Sequence, residues 1–212
     1  SYGNNNNTFE ANASYEGRRL QNSPVIFYAS GRKSTARAMQ KLNGQEPFTA
    51  TVGTVLAESL RVKVVDELGQ SVANHPVTFD VQGNALLNQD YFSVTQQTNR
   101  NGVAAVSVYL GPKPGRNTIT ASSDDGVDPL DPATLSFYVD AEPGAPDTTR
   151  SSMTASTDII ANGQDSSLVN VVLRDKYDNP IVGETVILTT TDPEIFIEQP
   201  TEPTDSNGHV EG

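Results

Sequence analysis

An internal repeat constrains this chain more than any local pattern, because a segment that recurs has to fold compatibly each time it recurs. Asn7-Thr8-Phe9-Glu10-Ala11 is followed by Leu20 and then by Pro24-Val25-Ile26-Phe27-Tyr28. An offset of 110 leads to Asn117-Thr118-Ile119-Thr120-Ala121, to Leu130, and to Leu135, Phe137 and Tyr138. A second comparison covers different residues. Segment 60–79 (LRVKVVDELGQSVANHPVTF) aligns with segment 168–188 (LVNVVLRDKYDNPIVGETVIL), setting Asp66 against Asp175 and Val77 against Val186 at an offset of 109. Downstream, Thr98-Asn99-Arg100-Asn101-Gly102-Val103 meets Thr204-Asp205-Ser206-Asn207-Gly208-His209 at an offset of 106. The chain therefore reads as a window on a tandem array. Residues 1–31 are the last strands of one repeat, 32–143 a whole repeat, and 144–212 the first part of a third. Ala29-Ser30-Gly31 and the Pro/Gly linker Ala141-Glu142-Pro143-Gly144-Ala145-Pro146-Asp147 mark the boundaries.

Within the whole repeat the apolar runs are short and alternate at period two, the strand signature. Leu60, Val62 and Val64 share one face, with Arg61 and Lys63 on the other. Val77, Phe79 and Val81 alternate with Thr78 and Asp80. Residues 103–110 are apolar on both faces, which predicts a central strand. Asp66-Glu67-Leu68-Gly69, Asn99-Arg100-Asn101-Gly102 and Pro112-Lys113-Pro114-Gly115 supply turns. Segment 34–42 (STARAMQKL) is compatible with one helical turn in a linker, carrying Met39 and Leu42 into the end of the domain. The expected fold class is all-β, as tandem Ig-like β-sandwich domains, without the Trp and Cys pin of antibody domains.

Composition narrows function. Small polar residues, 16 Gly and 13 Pro favour turns and half-buried strands over long helices. A net charge of −12 repels phosphate backbones, so nucleic acid is not an expected partner. No run is apolar enough to span a membrane in this segment. The chain has no cysteine and two histidines, His75 and His209, both expected in exposed loops. No constellation of acid, base and nucleophile can be assembled, so no catalytic residue and no enzyme is expected.

The combined pattern resembles bacterial Ig-like repeats of the invasin/intimin type. It is carried by Val62, Val64, Asp66, Gly69, Val72, Val77, Phe79, Asn101, Gly102, Ala104, Gly115, Asn117, Ile119 and Ala121. The third repeat matches through Ala161-Asn162-Gly163, Asp175, Asn179-Pro180, Gly183, Val186 and Asn207-Gly208. The resemblance implies rod segments that hold a terminal binding domain away from the cell, and an extracellular, cell-surface location.

Candidate sites are few. The acidic loop containing Asp124, Asp125, Asp128 and Asp131 could offer oxygen ligands to Ca²⁺, although it lacks EF-hand spacing; the simpler reading is a solvated loop. A second candidate calcium site is the domain junction, where Asp140, Glu142 and Asp147 could meet Asp175 or Asp178. No other cofactor is expected. The recurrence of Asp66 and Asp175 argues for a turn role, each side chain accepting backbone N–H bonds and ending a strand. The Asn4–Asn7 run reads as a loop between strands. Tyr91-Phe92 and Tyr15 are the hints of a binding surface, with Phe92 also a core candidate.

The expected function is a structural stalk of a bacterial adhesin or fibre, partnered by neighbouring Ig-like repeats. Two alternatives stand beside it. One is a ligand- or glycan-binding Ig-like module. The other is a strand-exchanged filament, in which residues 1–31 of one subunit complete the third repeat of the next, head to tail.

Overall fold

The computed structural model describes residues 6–30, 35–157, 159–160 and 162–212, and every regular element among them is a strand. Four strands come first: β1 (Asn6–Ala11), β2 (Ser14–Tyr15), β3 (Arg18–Arg19) and β4 (Val25–Ser30). A middle unit follows with β5 (Ala38–Lys41), β6 (Phe48–Thr51), β7 (Leu60–Val65), β8 (Pro76–Gln82), β9 (Leu86–Leu87), β10 (Ser93–Gln97), β11 (Val103–Val106), β12 (Val108–Tyr109), β13 (Gly115–Asp124) and β14 (Pro129–Glu142). The chain closes with β15 (Ser152–Ala155), β16 (Val169–Val172) and β17 (His209–Glu211).

The middle unit is an Ig-like β-sandwich. One layer runs β10-β8-β13-β14, with β6 parallel to the end of β14, and the other runs β5-β7-β11. A single parallel bridge, Ala38 to Asp131, lets β5 join the two layers. Strand alternation sends every second side chain inward. Leu60, Val62 and Val64 from β7, Val77 and Phe79 from β8, Ile119 and Ala121 from β13, and Phe137 and Val139 from β14 therefore enter one core with Met39, Leu87 and Val106. Fully burying a side chain such as Phe79 or Phe137 contributes about 1.5–3 kcal/mol relative to leaving it in water.

The repeat is visible in the registers. In the first hairpin Thr8 faces Tyr28, Phe9 faces Phe27 and Ala11 faces Val25. In β13–β14, Thr118 faces Tyr138, Ile119 faces Phe137 and Ala121 faces Leu135, the same pairs moved along by 110 residues. The ladder β15-β16-β17 likewise copies β5-β7-β11, since Val171 opposite Val210 repeats Val62 opposite Ala104. The copies differ in what covers them. Phe9 and Phe27 are 60% and 55% exposed, whereas Ile119 and Phe137 are fully buried. Segment 185–188, which aligns with β8, forms no strand; in the middle unit β8 is held between β10 and β13, and no such flanking ladder is described here.

Three expectations change. Residues 38–41 form β5 rather than a helical turn, because Ala38–Lys41 find ladder partners in Val65–Val62, and pairing overrides a weak local helix preference. Met39 enters the core, but Leu42 stays 38% exposed. Residues 103–110 are not a central strand. They break at Ser107 into β11, which ends its sheet path beside β7, and β12, which pairs with β9. The outward residues Ala105 and Tyr109 are exposed and half-buried respectively, so apolar character on that side does not signal a covering layer. Asn6 and Asn7 begin β1, while Asn4 and Asn5 lie outside the described residues, as do Gly31 and Ser34 of the boundary and helix readings.

Candidate functional site at the repeat junction

Two aspartates at equivalent positions close the same turn. Asp66 Oδ1 accepts the N–H of Leu68 and of Gln70, and Asp175 Oδ1 accepts the N–H of Tyr177 and of Asn179. The main chain closes identically, Asp66 N to Gln70 O and Asp175 N to Asn179 O. The fourth turn residue is left-handed in both, Gly69 at φ +75° and Asp178 at φ +68°. The repeated aspartate is thus a turn residue, as expected from its recurrence.

A second cassette supports each turn, and sequence reasoning assigned it no role. Buried Thr98 donates its hydroxyl to Val72 O and accepts His75 N; buried Thr204 donates to Ile181 O and accepts Glu184 N. Asn99 and Asp205 then cap the Asn-Gly turns, accepting the N–H of Asn101 and Val103 and of Asn207 and His209. The signal available was the repeated Thr three residues before each Asn-Gly pair, in Thr98-Asn99-Arg100-Asn101-Gly102 and Thr204-Asp205-Ser206-Asn207-Gly208.

The two aspartates differ in burial, Asp66 being half-buried and Asp175 wholly buried. The second oxygen of Asp175 accepts Gly144 N at 3.0 Å, from the linker, and Asn179 Nδ2 at 2.9 Å. With the two bonds to Oδ1, four N–H groups occupy about the four lone-pair positions a carboxylate has. The residue is wholly buried, and a buried carboxylate is tolerated only when so satisfied. Burial by itself raises its pKa, but the hydrogen bonds from Asn179, Gly144 and Tyr177 outweigh that and hold it below the ordinary aspartate value.

Asn179 also reaches into the middle unit. Its Nδ2 donates to Pro112 O at 2.7 Å, so one amide ties the turn, the buried aspartate and the neighbouring unit together. Beside it the Tyr177 ring lies against Gly53, at φ +71°, where a β-carbon would overlap the ring and hydroxyl. Lys176 Nζ sits 4.7 Å from the centre of the same ring. Gly53 is held in turn by its N–H to Leu110 O, and Val52 N donates to Glu142 O. From the linker side, Asp147 N donates to Arg174 O at 2.8 Å, and Ser151 Oγ brackets Arg174 by accepting its N–H and donating to its carbonyl. The joint is built of direct protein contacts.

The carboxylates expected to gather there are engaged elsewhere. Asp140 makes a bidentate pair with Arg116 across β13–β14, which lowers its pKa first through those hydrogen bonds. Asp147 accepts the hydroxyl and N–H of Thr149. In the acidic loop, Asp124 accepts Gly126 N and Asp125 accepts the N–H of Val127 and Asp128, the bond from Asp128 leading in lowering the Asp125 pKa. Asp131 lies in β14, its N–H on Arg37 O. Among the described residues no three His, Asp or Glu side chains converge as a metal-binding group.

Both histidines are half-buried rather than loop-exposed. His75 Nε2 is 2.9 Å from Ser123 Oγ, and His209, in β17, has Nε2 3.1 Å from Asn170 Oδ1. Tyr91, Phe92 and Tyr15 are exposed, so Phe92 is not core.

Residues 150–212 match the family model of the bacterial Ig-like domain (group 1). Among solved structures, the Escherichia coli adhesin FdeC is similar over 99% of this chain and 65% of that chain, at 11% identity and a TM-score of 0.56. Invasin, a bacterial integrin-binding protein, is similar over 82% of this chain and 32% of that chain (22% identity, TM-score 0.42). The D0–D1 domain of intimin is similar over 83% and 82% (23% identity, TM-score 0.36). No curated protein sequence matches the chain. The fold is Ig-like, and residues 150–212 are the part that matches the bacterial Ig-like domain model. This chain spans about two thirds of the FdeC chain, or 65% of its length. No helix among the described residues is long and apolar enough to cross a membrane.

Proposed function

We propose that this chain is a non-enzymatic stalk segment of a bacterial cell-surface adhesin or fibre, outside the cell, whose work is to hold a distal binding region away from the surface. The observation that carries this reading is the joint itself. Asp175, Tyr177 and Asn179 fasten one unit to the linker and to the loop ends of the unit before it. Covalently linked domains move relative to one another by default unless their interface restrains them. Here a buried carboxylate, a shared amide and an aromatic ring against a glycine do so. The middle sandwich supplies its own core, and in this reading the joint turns a string of such units into a spacer.

A test is binding of the 212-residue chain to host cells and to glycan arrays. A spacer shows no saturable binding. Saturable binding that is lost on replacing Tyr91 and Phe92 by Ser would overturn the reading in favour of a ligand-binding module.

A further inference from the structure

An asparagine side chain turns most readily on its own main chain when glycine follows it, because glycine has no β-carbon to shield the next amide nitrogen and leaves the backbone free to bend. The chain has four such pairs, Asn43-Gly44, Asn101-Gly102, Asn162-Gly163 and Asn207-Gly208. We propose that Asn162, in the loop between β15 and β16, is a site of spontaneous covalent modification, deamidation to aspartate and isoaspartate, and that the fold spares the other three. The Gly163 nitrogen gives up its proton to solvent base and bonds to Asn162 Cγ, the Cγ–Nδ2 bond breaks, and ammonia leaves. Water then opens the cyclic imide at one carbonyl or the other, giving aspartate or isoaspartate. The inference goes beyond the stalk reading and does not depend on it.

The four pairs differ in what holds the attacking nitrogen and the carbon it attacks. Gly102 and Gly208 are buried, and their N–H groups are already bonded, to Asn99 O at 2.8 Å and to Asp205 O at 2.9 Å. A buried nitrogen engaged in this way is a poor nucleophile. Asn43 is held by its side chain instead. Its Nδ2 donates to Ser59 O at 2.9 Å and its Oδ1 accepts Arg61 N at 2.6 Å, so turning Cγ toward Gly44 breaks two bonds to a distant stretch of chain. Asn162 and Gly163 are both exposed, and a β-carbon on Gly163 would meet nothing. Among the described residues the Gly163 N–H has no hydrogen-bond partner. Asn162 Oδ1 accepts the N–H of Gln164 and of Asp165, each at 2.9 Å. These two donors sit where negative charge develops as the nitrogen attacks Cγ, which is how an oxyanion hole lowers a barrier. The conversion also has a local consequence. Asn162 Nδ2 donates to Asp165 Oδ1 at 3.3 Å, and Asp165 Oδ2 accepts Ile160 N at 3.1 Å. Deamidation replaces that donor by a carboxylate facing Asp165, so the loop loses a bond and gains a like-charge contact.

The test is to hold the folded 212-residue chain in mildly alkaline buffer and follow the four pairs by peptide mass spectrometry, with oxygen-18 water marking each imide that hydrolyses. Asn162 is expected to convert about tenfold faster than Asn43, Asn101 or Asn207, a barrier lower by about 1.4 kcal/mol. In concentrated urea the four rates should draw together, since only the fold distinguishes pairs that share the same two residues. Gly163→Ala shields the nitrogen and should slow the conversion of Asn162, with amide exchange in β16 checking that the third unit keeps its fold. Equal rates in the folded chain, a faster site among the other three, or a preference for Asn162 that persists in urea overturns the proposal. None of these outcomes bears on ligand binding, so the stalk reading stands or falls separately.

Discussion

The middle unit and the third share a turn to the level of individual hydrogen bonds, yet the turn's aspartate is half-buried in the middle unit and wholly buried, against the linker, in the third. Asp66 binds two N–H groups of its own loop through Oδ1. Asp175 does the same and uses its other oxygen to hold the linker and Asn179. The first hairpin and β13–β14 show the same relation in apolar form, with one register and opposite exposure of Phe27 and Phe137. The lesson is that local hydrogen bonding specifies a repeat's shape, while the neighbours decide what each copy contributes to stability.

The sharpest way to break the comparison is at the paired phenylalanines. Phe137→Ala should cost about 3–5 kcal/mol, a cavity in a closed core. Phe27→Ala, at the equivalent position but 55% exposed, should cost less than about 1 kcal/mol. Urea unfolding of the two variants measures this, and equal losses would mean that the hairpin is packed in solution.

Next come the aspartates. Asp175→Ala strands buried N–H groups and should destabilise the third unit by about 3 kcal/mol, against about 1 kcal/mol for Asp66→Ala in the middle one. Hydrogen exchange resolved by unit separates the two effects.

Acid should open the joint before it unfolds the middle unit. The Asp175 pKa is lowered in the fold, so its contribution is complete above the unfolded aspartate value of about 3.9 and is lost as pH falls through the lower folded value. Arg174, Lys176 and Asp178 flank it in sequence, Arg174 lying 3.9 Å from Asp178, and Asp147 N bonds Arg174 O from the linker. The Gly144 amide reports the event: its exchange protection should fall at that step, and in Asp175→Asn the step should vanish.

The smallest expected effect is that of calcium. The acidic loop closes on its own N–H groups, so millimolar Ca²⁺ should leave the melting temperature of the middle unit unchanged. A rise that disappears in Asp125→Asn with Asp128→Asn would show that the loop binds the ion.

Much of the fold was legible because period and repeat are local properties. Leu60, Val62 and Val64 announce a strand with one buried face, and the shared motif announces the Ig-like sandwich. What misled was equally local. The helix-compatible residues 34–42 contain a strand because β7 lies beside them, and residues 103–110 read as central because Ala and Tyr count as apolar whether or not anything covers them. Of the candidate site, Asp175 was marked by its recurrence. Asn179, Tyr177 and Gly53 were not, since nothing in the run DKYDN distinguishes a turn in water from a turn against another unit.

By itself, the sequence determined the all-β class, the 110-residue period, the turn role of the two aspartates and the absence of thiol chemistry, because spacing, alternation and composition are readable along one dimension. The tertiary structure alone decided what gathers around the Asp175 turn. That depends on Gly144, Gly53 and Pro112 arriving at one place from separate stretches of chain, and a buried carboxylate is stable only where enough N–H donors, here from Gly144, Tyr177 and Asn179, converge on it.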